Sequence, residues 1–320
     1  MSGRLICVAP NPAIDRFVEV SALVPGAIHR PVRETAMAGG KGLNVARAAR
    51  ALGGDVTAVT IVAGHAGAWI EEQLARAGIR VVVIRAPGET RTCMSIADAA
   101  TGTLTEVYER GGTVPAGAWT ALEGALGAEL VAARSAGSAA IVTLSGSLPM
   151  GAPPDSMGHL TAIGVEGGAM VVADTYGEAL RHVLLARPSV VKVNAAEAEE
   201  ATGIRVAGDA HAAVRAARLL RDRGAGAAVV TLGVDGAVIA TEDGAWSVGA
   251  AAARGPYPVA SGDAFMAGLA IRILAGDTLR DAAHLAAGAA AANALVPGAG
   301  ELDPDTAQLL AAMIEVELLA

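Results

Sequence analysis

Three rhythms of apolar and polar residues run along this chain. Arg4–Ala9 is a short continuous apolar run that closes in Pro10-Asn11-Pro12-Ala13-Ile14-Asp15, as expected of a strand buried on both faces. The same kind of run returns at Val56–Val62, Arg80–Arg85, Ala139–Leu144, Ala169–Ala173, Ser189–Val193 and Ala227–Leu232. Helical segments lie between them. Gly39–Asn44 opens one that runs to Leu52 and stops at Gly53-Gly54; others cover Gly67–Ala77, Gly117–Arg134, Gly177–Ala186, Ala195–Thr202 and Ala210–Arg223. The C-terminal part reads as a hairpin, Val238–Ala240 with Ala245–Val248, then helices over Asp263–Ala275, Thr278–Leu295 and Asp305–Leu318. Strands alternating with helices predict an α/β fold with a mostly parallel sheet and helices on both faces. The third rhythm is strict alternation, at Arg16–Val20, Arg33–Ala38, Thr92–Asp98 and Thr103–Tyr108. Strands of that kind keep one face in water and do not fit a doubly covered sheet. They predict a small β-sheet lid, from segments around 16–38 and 91–109, set into a single domain over 1–320.

Composition narrows the function class. A formal net charge of −8 argues against a nucleic-acid or anionic-membrane partner. No apolar run reaches membrane-spanning length and no basic-plus-apolar leader opens the chain. Cys7 and Cys93 lack metal or redox spacing, and the expected compartment is a reducing cytoplasm. The six histidines are scattered, and no zinc site is expected. Of the 24 basic residues, only Lys41 and Lys192 are lysine. A compact ammonium meets a single phosphate oxygen in a tight space where the planar arginine fork does not fit.

In sheets of this type, ligands bind at the carboxyl ends of the strands. Polar clusters fall at those ends: Asn11/Asp15, Gly39–Asn44, Ser145–Pro149, Asp174, Lys192/Asn194/Glu197, Thr231/Gly233 and Asp263. Gly39-Gly40-Lys41-Gly42 is not a Walker loop, because Thr35 and Gly42 stand where Gly and Ser/Thr belong. Its glycines still let backbone approach a ligand, with Lys41 supplying charge. Asn194 and Glu197 lie three apart at a helix start, on one face, a spacing suited to holding waters around Mg²⁺ or to answering the helix dipole. Ala260-Ser261-Gly262 leads into a helix at Asp263, and amides at such a start suit an anion. An acid there caps a helix as readily as it serves as a base. No GxGxxG follows the first strand, and Ser145-Gly-Ser is not a nucleophile elbow, which leaves dehydrogenase and hydrolase readings unsupported.

Taken together, these stations resemble the ribokinase/PfkB family of carbohydrate kinases. The hallmarks are Asn11-Pro-Ala-Ile-Asp15, Gly39-Gly-Lys-Gly-Leu-Asn-Val-Ala46, Thr90-Arg91, Ser145-Gly-Ser-Leu-Pro-Met-Gly151, Lys192-x-Asn-x-x-Glu197, Thr231-Leu-Gly-x-x-Gly-Ala237 and Ser261-Gly-Asp-Ala-Phe265. Several look like the branch containing 1-phosphofructokinase and tagatose-6-phosphate kinase. The resemblance implies a ribokinase-like fold and ATP- and Mg²⁺-dependent phosphoryl transfer to a phosphorylated ketohexose, most like fructose 1-phosphate. Tagatose 6-phosphate, fructose 6-phosphate, an unphosphorylated sugar or nucleoside, and a catalytically weak sugar-phosphate-binding protein stay open. It implies Asp263 as base, with the amides of Ala260, Ser261, Gly262 and Asp263 around the transferring group. Asp15, Gly39, Gly40, Asn44 and Ser145 would hold the sugar, and Lys41 and Arg91 its phosphate. Lys192, Asn194, Thr231, Gly233, Gly236 and Asn293 would serve ATP, with Asn194 and Glu197 ordering Mg²⁺ through water. It also implies a homodimer through the lid. Three departures bear on these roles: Ala260 opens a motif that usually begins with glycine, and Cys93 and Tyr176 replace a usual Asn and a usual small residue.

Overall fold

The computed structural model describes residues 3–251 and 253–319. In chain order its first half runs β1 (Arg4–Ala9), β2 (Ala13–Val20), β3 (Arg33–Gly39), α1 (Lys41–Ala51), β4 (Val56–Ala63), α2 (Gly64–Arg76), β5 (Arg80–Ala86), β6 (Thr92–Asp98), β7 (Thr103–Tyr108) and α3 (Ala116–Ser135). There follow β8 (Ala140–Ser145), α4 (Ser156–Glu166), β9 (Met170–Asp174), α5 (Gly177–Leu185), β10 (Val190–Asn194), α6 (Ala195–Thr202), α7 (Ala210–Asp222) and β11 (Ala227–Thr231). The chain closes with β12 (Ala237–Ala240), β13 (Ala245–Val248), α8 (Ser261–Leu274), α9 (Leu279–Leu295), α10 (Pro304–Ala311) and β14 (Val316–Leu319).

Ten strands form one sheet in the order β14-β13-β12-β11-β10-β9-β8-β1-β4-β5, parallel from β11 to β5 and antiparallel at the other edge. The period-2 geometry of a strand sends alternate side chains to opposite faces. In β1, Leu5, Cys7 and Ala9 enter one apolar core while Ile6 and Val8 enter the other. The first core packs against α1, α8 and α9, the second against α3, α4, α5 and α7. Alanine and glycine let helices approach closely: a Cβ on Gly268 of α8 would meet the Leu285 carbonyl of α9 at 2.7 Å.

The alternating segments form a separate four-stranded sheet, β3-β2-β6-β7. Its outer strand β7 is exposed at every position. Of these strands β6 alternates as expected, with Cys93 and Ser95 buried and Thr92, Met94 and Ile96 half-buried, whereas β7 has no buried face.

Two elements depart from the sequence reading. The expected helix over Asp305–Leu318 ends at Ala311, and Val316–Leu319 instead pairs antiparallel with β13. Leu and Glu favour helix, but the open edge of β13 supplies a ladder, and Ile314 anchors the crossover in the core. Helix α4 is the second departure. Its glycines hide it from propensity, and Gly158 and Gly164 are buried at close contacts with the His182 carbonyl and Val171. Strand β2 also begins earlier than expected, at Ala13, so Asp15 is a strand residue.

Among the described residues, no helix is long and apolar enough to cross a membrane.

Candidate active site

Strands β1, β8, β9, β10 and β11 run parallel and end together, so the polar residues that follow them collect at one rim. The rim opens a cleft of about 670 Å³ lined by Asp15, Gly40, Lys41, Asn44, Arg91, Ser145, Lys192, Asn194, Glu197, Thr231, Gly233, Gly236 and Ala260 to Asp263. All the sequence-predicted site residues line it except Gly39 and Asn293. Gly39 is buried where a Cβ would collide with the Asp15 carboxylate, so it makes room for Asp15 rather than touching the cleft. Asn293 is fully buried. Its amide nitrogen donates to the Val259 carbonyl at 2.8 Å, and its oxygen accepts from the Gly300 amide at 2.9 Å. It fixes the approach to α8, and Ala290, Ala291 and Ala294 of its helix face the cleft instead.

The start of α8 answers the question that Ala260 poses. Ala260 is the N-cap and adopts a left-handed conformation, φ 64° and ψ 11°. A Cβ in that region costs about 1–2 kcal/mol, and the alanine bears it. The Ser261 amide donates to the Pro258 carbonyl and the Asp263 amide to the Ala260 carbonyl. Among the described residues, the amides of Ala260 and Gly262 have no backbone acceptor. Two of the four expected donors are therefore free for an anion, at the positive end of the helix dipole.

Asp263 is buried in the first turn of that helix, and its Oδ2 accepts from Asn44 Nδ2 at 2.9 Å. Burial and the neighbouring Asp174 push its carboxyl up to about 7, against the pull of Lys41, Asn44 and Lys192. Asp174, at the end of β9, is also buried, yet it takes both lysines: Lys41 Nζ at 2.8 Å and Lys192 Nζ at 2.5 Å. Burial alone would raise it, but the two ammonium groups bring it down to about 2. Lys41 is the first residue of α1, behind Gly40 at φ 87°, and its pKa is raised: Asp174, Glu197 and Asp263 outweigh burial.

Two of the expected groupings show contacts of their own. Lys41 joins Lys192 around Asp174, while Arg91 donates separately to the Asn11 and Glu109 carbonyls. Asn194 and Glu197 form a capping box, each side chain accepting from the other's backbone amide, and the second Glu197 oxygen lies 3.5 Å from Lys41 Nζ. Among the described residues no group of three His, Cys, Asp or Glu could enclose a metal. On the sugar side, Asp15 accepts from the Gly40 amide at 3.0 Å, and burial raises its carboxyl. Ser145 Oγ sits 3.3 Å from Met266 Sδ, and Cys93 lines the cleft with its thiol pushed up by burial to about 11. Tyr176, also on the cleft, is half-exposed.

A buried carboxyl with a raised pKa, two amides without backbone acceptors at a helix start and a lysine pair are groups that phosphoryl-transfer chemistry can use. Residues 9–306 match the pfkB family carbohydrate kinase description. The chain belongs to that family. The PfkB kinase is 34% identical over 279 residues to a 1-phosphofructokinase of Xanthomonas campestris pv. campestris, covering 86% of this chain and 85% of that one. It is 26% identical over 314 residues to a tagatose-6-phosphate kinase of Staphylococcus epidermidis, covering 98% and 99%. The crystal structure of phosphofructokinase-2 from Escherichia coli in complex with potassium shares its fold, with a TM-score of 0.87, 24% identity, and 98% and 99% of the two chains covered.

Sequence reasoning missed Arg47, which lies behind the cleft rather than on it. It is buried three positions after Asn44 and donates to that side chain's oxygen at 3.1 Å. Only its spacing from Asn44, on the same face of α1, pointed to it.

Proposed function

We propose that this kinase transfers the γ-phosphoryl group of ATP to the free primary hydroxyl of fructose 1-phosphate, giving fructose 1,6-bisphosphate and ADP. One observation carries the reading: Asp263 is buried at the start of α8, with its carboxyl raised to about 7 beside amides free to receive an anion. A base with its pKa near the working pH gains most in both protonation state and driving force. The sugar oxygen forms its bond to the γ-phosphorus as the bond from phosphorus to the β–γ bridging oxygen breaks. The hydroxyl proton passes to an Asp263 carboxylate oxygen, and ADP leaves with the bridging electron pair.

The amides of Ala260 and Gly262 face the charge that develops on the transferring group, and Lys192 and Lys41 supply positive charge from the β9–β10 side of the cleft. Asp15 and Asn44 hold sugar hydroxyls, and Arg91 receives the phosphate already on the sugar. Asp174 plays a different part. With its pKa at about 2, it stays ionised and keeps both lysines aimed into the cleft. Mg²⁺ fits this site as an ion carried on the nucleotide phosphates, since Mg²⁺ keeps several waters and needs few protein ligands. Asn194 and Glu197 would contact its waters. When bound, it neutralises charge on the β- and γ-phosphates. The small β-sheet lid would exclude water from the transfer.

The choice of fructose 1-phosphate over tagatose 6-phosphate rests on the higher identity to the 1-phosphofructokinase. An ADP-release assay over fructose 1-phosphate, tagatose 6-phosphate, fructose 6-phosphate and the free sugars tests it. The expected result is the highest kcat/KM on fructose 1-phosphate; a preference for any other member refutes the assignment.

A further inference from the structure

Arg47 is a buried cation whose hydrogen bonding is incomplete. Its Nη2 donates to Asn44 Oδ1 at 3.1 Å and to the Ala299 carbonyl. Its Nε lies 3.5 Å from Glu301 Oε1 as an ion pair, yet Nε and Nη1 are buried with no hydrogen-bond partner among the described residues. Desolvating a guanidinium without filling its donors is costly. Stability alone would favour an apolar side chain at this place. The bond to Asn44 suggests what the charge is kept for.

Asn44 carries an acceptor on one arm and two donors on the other, and the two arms occupy nearly the same space. With Oδ1 taken by Arg47, Nδ2 faces the Asp263 carboxylate. The flipped amide would set its NH₂ against the guanidinium and its oxygen against the carboxylate, two repulsive contacts at once. Arg47 therefore decides the orientation of Asn44. The segment at Ala299–Glu301 that grips Arg47 also gives its Gly300 amide to Asn293, whose nitrogen holds the Val259 carbonyl just ahead of Ala260. A Cβ on Gly300 would meet the Asn44 carbonyl at 2.6 Å, so the segment is packed directly on α1.

We infer that Arg47 is a positioning residue for the base: it fixes the Asn44 amide so that Asp263 is held ionised and aimed, and it ties that arrangement to the same 299–301 segment that sets the amides at the start of α8. The inference rests on Asp263 being the base. The charged groups around Asp263 are Asp174 from β9, Lys192 from β10, and Lys41 from α1. Arg47, also on α1, faces Asp263, Asp15 of β2 and Glu301. Removing Arg47 takes away one positive neighbour and frees Asn44 to turn, and both changes disfavour the Asp263 carboxylate.

The test is the pH profile of kcat with saturating fructose 1-phosphate and ATP. In Arg47→Met the acid limb should move upward by about one pH unit, so that activity falls about tenfold near pH 6.5 and much less above pH 8.5. A residue that only supports the fold would lower activity equally at every pH. Asn44→Ala should displace the limb in the same direction, and Arg47→Met added to it should displace it further by clearly less than Arg47→Met does alone, since only the direct charge effect is left to lose. Should the Arg47→Met variant fail to fold, Arg47→Lys is measured instead, with a limb expected between wild type and Asn44→Ala. A folded Arg47 variant whose limb stays in place, or a shift that adds fully to that of Asn44→Ala, overturns the inference. Near-wild-type turnover by Asp263→Asn would instead overturn the base assignment itself.

Discussion

Two buried aspartates face the same cleft with opposite electrostatics. At the end of β9, Asp174 receives two lysines and is held at about 2. At the start of α8, Asp263 receives one neutral amide and shares its space with the Asp174 charge, and it rises to about 7. Both are carboxylates out of water, so burial alone would raise both; the partners make the difference. The pair shows how one cleft obtains a permanently ionised carboxylate and a carboxyl that titrates near neutrality from the same residue type, the second of which the proposed mechanism uses as the base. The consequences for stability have opposite signs. Asp174, with its pKa depressed in the fold, stabilises the protein above the unfolded value near 3.8, and that contribution is lost as pH falls toward 2. Asp263, with its pKa raised, favours the folded state when protonated, and stability is given up as pH climbs from about 4 through 7.

The sharpest way to separate the two is to neutralise each. Asp263→Asn should lower kcat by about 10²–10⁴-fold, the range for a lost general base, with little change in KM for the sugar phosphate. Its thermal midpoint should rise most at pH 8, where the whole penalty of the raised carboxyl has accumulated, less at pH 5, and stay put below about pH 4. Activity within threefold of wild type would remove Asp263 from the chemistry.

Asp174→Asn should act first on the fold. It leaves Lys192 buried without its counter-charge, a loss of about 3–5 kcal/mol when one partner of a buried pair is removed. Thermal unfolding should show a midpoint lower by about 4–7 °C. In whatever activity survives, the acid limb should move to lower pH, because a like charge beside Asp263 is gone while the lysines remain. A limb that moves upward would show that the lysine positions, not the Asp174 charge, set the Asp263 pKa.

What the sequence discloses about these regions follows from what each rests on. The parallel strands are legible because burial on both faces leaves continuous apolar runs, and the small sheet because its segments alternate in sequence, although among them only β6 carries that alternation into burial. The stations are legible because Gly39–Gly42, Asn194–Glu197 and Ser261–Asp263 keep their chemistry within a few residues of one another. The Lys41–Asp174–Lys192 bridge is not, because it joins residues 133 and 18 positions apart that meet only when β9 lies beside β10 and α1 closes over them. Arg47 is one arginine among many until the fold shows it buried. Asn293 sits on the expected helix but on the other side of it, because in an alanine-rich helix nothing in the local pattern distinguishes the face toward the cleft from the face toward Val259. From sequence, Glu197 reads as either a helix-start acid or a support for Mg²⁺. The structure places it in a capping box, with one oxygen left toward Lys41.

The smallest expected effect concerns the backbone beneath Asp263. Ala260 holds φ 64° with a Cβ that this region disfavours by about 1–2 kcal/mol, whereas glycine enters it freely. Glycine also makes the unfolded chain more flexible, at about 0.5–1 kcal/mol, so Ala260→Gly should be net stabilising by about 0.5–1 kcal/mol. In a chain of this size that is a rise of roughly 1 °C in thermal midpoint. The amides of residues 260 and 262 keep their directions, since the turn is set by the Ser261–Pro258 and Asp263–Ala260 hydrogen bonds and by Asn293 on the Val259 carbonyl. Turnover should therefore stay within about twofold and the acid limb should not move. Here an unchanged kcat is informative. If Ala260→Gly raised kcat tenfold, the left-handed alanine would be deforming the anion site; if it lowered the midpoint, the position would not carry the strain that its φ assigns to it.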